Sequence, residues 1–306
     1  MAPKRHLVLL FIAIALAAPA WGQTIYALHE NRSVFIVPGI SPYPVFDLVQ
    51  FTGIASSGLV EMTSLMPLPV YSHVVAFDAG RQRVFLIRQV NGDDHLYVAD
   101  VQTKALTRSD IVATGLTFVF DPSRDTLFAA DGALLLAVDA SRGTTTTVMT
   151  ADRPIALCGI DPTRGRAFVS DPAGGELRYI DLNTLTLSDA LLTVGSSVSV
   201  MPETGRDVVD IVYNYSRRND LTRLDMTTRT TTAITSGWTE IYATTNAMDT
   251  LSGHIYVSRM EDWGVSDLLM FDMQKGTVSG MELQGDVFEV VVVPAVPPKQ
   301  RVVRPH

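Results

Sequence analysis

The sequence predicts an all-β chain made of repeated four-stranded units, and three observations carry that prediction. Short β-branched and aromatic runs alternate with Gly, Asn, Asp and Pro along most of the 306 residues, with almost none of the 3.6-residue apolar spacing of an amphipathic helix. A strand–turn–strand pattern anchored on Asp or its substitute recurs five times. A second apolar strand carrying Asp follows each anchor after 18 to 24 residues, and a polar turn and a Thr- or Val-rich stretch follow that. A period of this size with four strands per unit describes the blades of a β-propeller.

The anchors are Asp78, Asp121, Asp161, Met201 and Asp249, separated by 43, 40, 40 and 48 residues. Seven positions after each stands a large apolar residue: Phe85, Phe128, Phe168, Val208 and Tyr256. The second aspartates are Asp100, Asp139, Asp181, Asp225 and Asp272. Asp at the end of a strand accepts hydrogen bonds from turn N–H groups, and a following Pro fixes φ at the first corner, as in Asp121-Pro122 and Asp161-Pro162. These aspartates therefore read as structural rather than catalytic.

Five units do not close a ring. The run Val287 to Val293 ends 21 residues after Asp272, and Pro294 falls where Pro122, Pro162 and Pro202 fall. It reads as an inner strand without downstream partners. Thr24 to Leu28, Ser33 to Val37 and Val45 to Val49 read as strands lacking a complete unit. Pairing the N- and C-terminal strands gives six blades of four antiparallel strands and removes the open edges of a linear array. A second count stays open: Leu28 to Phe35 is also seven residues, which gives the N-terminus its own inner strand and allows seven blades. Gly53 to Val70 lengthens the interval between Asp47 and Asp78, as an interaction loop or a longer connection.

Two repeats carry a resemblance. Asp161-Pro-Thr-Arg-Gly-Arg-Ala-Phe-Val-Ser-Asp171 and Asp121-Pro-Ser-Arg-Asp-Thr-Leu-Phe-Ala-Ala-Asp131 resemble the YWTD repeats of low-density-lipoprotein-receptor (class B) propellers in degenerate form. Phe168-Val-Ser-Asp171 and Phe128-Ala-Ala-Asp131 keep the aromatic and the Asp without the full tetrapeptide. The pattern is also similar to NHL-type repeats and to the six-bladed gluconolactonase group. The resemblance spans residues 24 to 294. It implies the fold strongly and function weakly, since propellers host both binders and enzymes.

The N-terminus reads as a secretory signal over residues 1–22. Lys4 and Arg5 precede an apolar core from Leu7 to Ala18, and small residues up to Gly22 offer a cleavage site. The apolar core is too short to span a bilayer, which takes about 20 apolar residues. The propeller then covers 23–294, and 295–306 is a Pro-rich basic tail expected to be disordered. The expected location is extracellular, or periplasmic in a bacterium, with no membrane span after cleavage. Asn31 and Asn214 head sequons and are glycosylation candidates in a eukaryotic source. Cys158, the single cysteine, excludes an intramolecular disulfide and reads as a buried core residue. A net charge of −8 without a basic cluster argues against nucleic-acid binding.

Two functions remain. The first is a non-catalytic binding module that presents loops at its top face to a protein, peptide or glycan, using His73, Arg153, Ser196, Trp238, Tyr242 and Thr244 just before or early in inner strands. The second is a calcium-dependent lactonase or esterase of the gluconolactonase type, for which Glu240, Asn246 and Glu289 are the available oxygen donors. The sequence has no Gly-x-Ser-x-Gly elbow, paired cysteine or clustered histidine. No catalytic residue is therefore assigned, and no cofactor other than the alternative calcium.

Overall fold

The computed structural model describes residues 24–31, 45–52, 61–68, 72–78, 80–139, 142–171, 175–194, 198–203, 205–213, 221–235, 243–249, 254–262, 265–272, 277–284 and 287–293. All regular structure among them is β. The first sheet contains β1 (Thr24–Asn31), β2 (Val45–Thr52) and β3 (Glu61–Leu68). The second contains β4 (Ser72–Asp78), β5 (Arg83–Val90), β6 (Asp93–Asp100) and β7 (Leu106–Val112). The third contains β8 (Thr117–Asp121), β9 (Thr126–Asp131), β10 (Leu134–Asp139) and β11 (Thr144–Thr150).

In the fourth sheet, β12 (Ala156–Asp161), β13 (Arg166–Ser170) and β14 (Glu176–Asp181) are followed by two short pieces that both pair with β14, β15 (Thr186–Leu187) and β16 (Leu192–Thr193). The fifth holds β17 (Val198–Pro202), β18 (Val208–Tyr213), β19 (Leu221–Asp225) and β20 (Thr231–Thr235). The sixth holds β21 (Ala243–Asp249), β22 (His254–Asp262), β23 (Val265–Asp272) and β24 (Thr277–Gln284). The last strand, β25 (Val287–Val293), pairs antiparallel with β1, with Thr24 opposite Val293 and Ile25 opposite Val292.

Every pairing is antiparallel between strands adjacent in sequence, except that β25 joins β1 and that β16 joins β14. All five anchors fall in first strands as expected, and all five second aspartates end third strands. The stretch read as an extended connection between Asp47 and Asp78 contains β3, the outer strand of the first sheet. The expected strand from Ser33 to Val37 lies outside the described residues, as do the signal segment, the C-terminal tail and Asn214. Asn31 closes β1, opposite Val45.

The sheets stack face to face. Val84 and Leu86 of β5 point to one side, with Tyr97 and Ala99, and pack with Leu65 of β3. Phe85 points to the other, where Phe118, Phe120 and Leu127 of the third sheet meet it. The alternation continues in β9, where Leu127 and Ala129 face the second sheet while Phe128 and Ala130 face Ile155, Ala167 and Ile180 of the fourth. Phe168 and Leu177 then pack against Val200, Val209 and Ile211 of the fifth. Burial on both faces explains why these strands read as apolar runs rather than polar–apolar alternations. Each buried large side chain contributes about 1.5–3 kcal/mol.

The first strands touch in order: β4 meets β8, β8 meets β12, β12 meets β17, β17 meets β21, and β25 meets both β21 and β4. Thr117 of β8 fastens one such contact by accepting the Leu157 N–H at 2.8 Å. At another, a Cβ on Gly159 would lie 2.1 Å from the Val200 carbonyl oxygen, so only glycine allows β12 and β17 this close. Cys158 is the extra residue of the bulge in β12 and packs against the cluster between the fourth and fifth sheets. Burial pushes its thiol pKa up, so it is a poor nucleophile.

Antiparallel alternation gives each sheet two unlike ends. Turns between first and second strands and between third and fourth strands lie at one, here called the turn end. There the anchor aspartates act as expected. Asp121 is fully buried and accepts the Ser123 N–H at 2.8 Å and Arg124 Nη1 at 2.7 Å. Asp161 accepts the N–H groups of Thr163 and Arg164, each at 3.1 Å, and Arg164 Nη1 at 3.0 Å. Burial raises the Asp78 pKa, but hydrogen bonds from Arg83 and Arg81 outweigh it and hold the carboxyl below its ordinary value. Asp121→Ala leaves Arg124 without its carboxylate and two turn N–H groups without their acceptor. It should cost about 3 kcal/mol, read as a lower urea midpoint with an unchanged m-value; an unshifted midpoint would contradict the clamp.

Candidate functional site

The turn end is tied together from sheet to sheet. Arg81 and Arg83 of the second sheet ion-pair with Asp125 of the third. Arg124 Nη2 donates to Asn183 Oδ1 of the fourth at 2.7 Å, and Arg166 reaches Asp207 of the fifth. The third-to-fourth-strand turns use the second aspartates. Backbone N–H groups of Asn183 and Thr184 hold the Asp181 carboxyl below its usual range, and those of Thr228 and Thr227 do so for Asp225. A groove of about 410 Å³ opens between the second and third sheets, lined among others by Phe85, Phe120, Arg83, Asp125 and Asp139. Arg83 and Asp125 are already engaged with each other.

In the fifth sheet Met201 replaces the anchor Asp, and the charge moves elsewhere. Glu203 accepts from Arg206 and Arg223, while Arg223 Nε donates to Asp210 Oδ1 at 3.0 Å. Asp210 has no exposed surface. Its burial, reinforced by the Glu203 carboxylate and opposed by Arg223, pushes its pKa up to about 6. A perturbed carboxyl is a reason to suspect a functional site, but with no solvent exposure Asp210 serves the sheet. Sequence reasoning missed this triad; the signal available was the absence of Asp at position 201.

The opposite end, the loop end, carries the second-to-third-strand loops and the connections between sheets. Ten of the eleven turn-end connections are four or five residues long, such as 122–125 and 226–230, the exception being 53–60. Loop-end connections range from two residues at 91–92 to thirteen at 32–44. Of the six predicted binding residues, His73, Arg153 and Thr244 fall at this end. His73 is exposed, the second residue of β4, opposite Ile87. Thr244 is the second residue of β21, at a bulge between Ala243 and Thr245. Ser196, Trp238 and Tyr242 lie in connections outside the described residues.

Arg153 sits between β11 and β12 and is held by protein carboxylates: Asp152 at 3.2 Å, Glu176 at 3.4 Å and Asp171 at 3.8 Å. Arg178 Nη2 also contacts Glu176, at 2.7 Å. Asp171, Glu176 and Arg178 were not foreseen as partners, although Glu176 and Arg178 are two apart on one strand and so share a face. Of the candidate metal donors, Glu240 lies outside the described residues. Asn246 and Glu289 fall on β21 and β25, which are in contact. Among the described residues no group of three His, Cys, Asp or Glu side chains is placed to hold a metal ion, and no helix is long and apolar enough to cross a membrane.

Antiparallel four-stranded sheets stacked through apolar faces, with their first strands in successive contact, give this chain a β-propeller fold. Solved structures agree. TolB from Acinetobacter baumannii superposes with a TM-score of 0.65 at 13 % identity, over 89 % of this chain and 67 % of that one. A chain of a nidogen/laminin complex superposes with a TM-score of 0.60 at 11 % identity, over 90 % of this chain and 98 % of that one. No family model and no curated protein sequence matches the chain.

The electrostatics set a pH dependence. The folded Asp210 binds its proton more tightly than an unfolded Asp, so its contribution to stability grows as pH falls from about 7 towards 4. Asp78, Asp181 and Asp225, with lowered values, contribute above the unfolded pKa and lose that contribution as pH falls through their folded ones. The thermal midpoint should therefore peak between about pH 4 and 6. Asp210→Asn should flatten the limb between neutral pH and that peak; an unaltered limb would show that Asp210 does not create it.

Proposed function

We propose that the chain is an exported propeller of six blades, closed by β25 beside β1, that acts as a non-catalytic binding module through its loop end. The asymmetry between the two ends carries this reading. Aspartate clamps and arginine bridges occupy the turn end with near-constant connection lengths, whereas loop-end connections vary in length, and His73, Arg153 and Thr244 lie among them. A rigid scaffold with variable loops on one face suits a protein, peptide or glycan partner. The structural likeness to a chain of the nidogen/laminin complex, a protein–protein assembly, supports the same use.

Export is supported by Lys4, Arg5 and the apolar run that follows them. Six blades and closure are supported by the cyclic order of first-strand contacts, in which β25 touches both β21 and β4. An Ile25→Cys, Val292→Cys pair tests closure, because these residues face each other across β1 and β25. Mild oxidation should join them in the native state and raise the thermal midpoint; thiols that stay free in the folded protein would refute closure.

A photo-crosslinking residue at His73, at the loop end, should capture a partner from the native compartment, and the same residue at Gln102, at the turn end, should not. Adducts equal at both ends, or at neither, would count against loop-end binding. The alternative, a calcium-dependent lactonase or esterase, draws on the contact between the strands bearing Asn246 and Glu289. It predicts that calcium raises the thermal midpoint, that chelation lowers it, and that a lactone or ester panel is turned over. No shift and no turnover would leave the binding reading.

A further inference from the structure

Two arginines of the second sheet break the pattern followed elsewhere. Every other arginine with a described side chain, Arg229 aside, lies within ion-pair distance of a carboxylate, as Arg83, Arg124, Arg166 and Arg223 do. Among the described residues no carboxylate lies at that distance from Arg88 or Arg108. Arg88 Nε is buried without a hydrogen-bond partner, and the guanidinium instead stands 5.9 Å from the ring centre of Tyr97. Arg108 Nη2 lies 3.2 Å from His95 Nε2 and 3.4 Å from Nδ1.

Strand register gathers these groups. Arg88 is opposite His95 across β5 and β6, and Tyr97 is opposite Arg108 across β6 and β7. His95 and Tyr97 are two apart, so all four side chains leave the same face of the sheet. It is the face on which Leu86, Tyr97 and Ala99 pack with Leu65 of β3. Arg88 stands two residues before the end of β5, next to the Asn91-Gly92 turn, which places the cluster at the loop-end rim of that interface. His95 and Tyr97 are buried, Arg88 is half-buried and Arg108 is exposed, so the group has a fixed base and an open edge.

We propose that Arg88 and Arg108, set on His95 and Tyr97, form a binding site for a small oxyanion of carboxylate or phosphate type. A guanidinium has donors and no acceptor, and its planar fork matches a carboxylate or phosphate edge. The Tyr97 ring braces Arg88 from below. Among the described residues no carboxylate lies within ion-pair distance of either guanidinium, so both keep donors for an incoming anion. The site lies at the loop-end rim between the first and second sheets, and it is inferred without use of the loop-end reading.

The test is an NMR titration of the full chain, following the His95 ring resonances with inorganic phosphate, succinate and chloride at matched ionic strength. A saturable shift with phosphate alone assigns a phosphate ligand, with succinate alone a carboxylate, and with both a general oxyanion site. Arg108→Gln, at an exposed position, should weaken binding by about tenfold or more with the thermal midpoint unchanged, and Arg88→Gln should do the same where it folds. An equal shift in chloride, no shift with either oxyanion, or an Arg108→Gln protein that titrates like the wild type would overturn the proposal.

Discussion

Burial of both faces of each central sheet is the constraint from which the architecture follows. β9 divides its side chains between two interfaces, Leu127 and Ala129 on one side, Phe128 and Ala130 on the other. Such a sheet cannot stand alone in water, because either uncovered face would expose a band of apolar surface. Its neighbours meet the same demand from their own sides, with Phe168 and Leu177 continuing the stack into the fifth sheet. A straight row would leave its first and last faces open. The proposed ring is the arrangement in which every face has a partner.

Packing alone does not set the angle or register between adjacent sheets; directional contacts at the turn end do that. The carboxylates of Asp78, Asp121 and Asp161 each shape their own turn, and arginines three or five positions later reach into the next sheet, as Arg81 and Arg83 do to Asp125. These groups are partly exposed, so the worth of each bridge lies more in orientation than in stability. The buried carboxylates contribute differently, since removing one would leave several donors unmatched. At the loop end the described counterpart is Arg153, held by Asp152, Asp171 and Glu176.

The fold was legible because its signals are local and repeated. Asp121-Pro122 and Asp161-Pro162 mark turns by short-range chemistry, and repetition at a near-constant interval turned weak local signals into a firm one. That Val287–Val293 forms a strand was legible too, from its distance to Asp272. The outer strand β3 was missed because Met66-Pro-Leu-Pro reads as a connection, although an edge strand tolerates proline. Site chemistry was far less readable. Arg153 is held by Asp171 and Glu176, which lie 18 and 23 positions away, and Arg88 meets Tyr97 only through strand register. Neither relation leaves a spacing motif.

The pairing of β1 with β25 brings together strands far apart in sequence, 24–31 and 287–293. During synthesis, one edge of β1 waits without this hydrogen-bonding neighbour until the 255 residues between the two strands, 32–286, have followed. Folding of the first sheet is thus coupled to the emergence of β25. A holding factor that shields β1 would matter more to the yield of this protein than the strength of any single contact in its finished form.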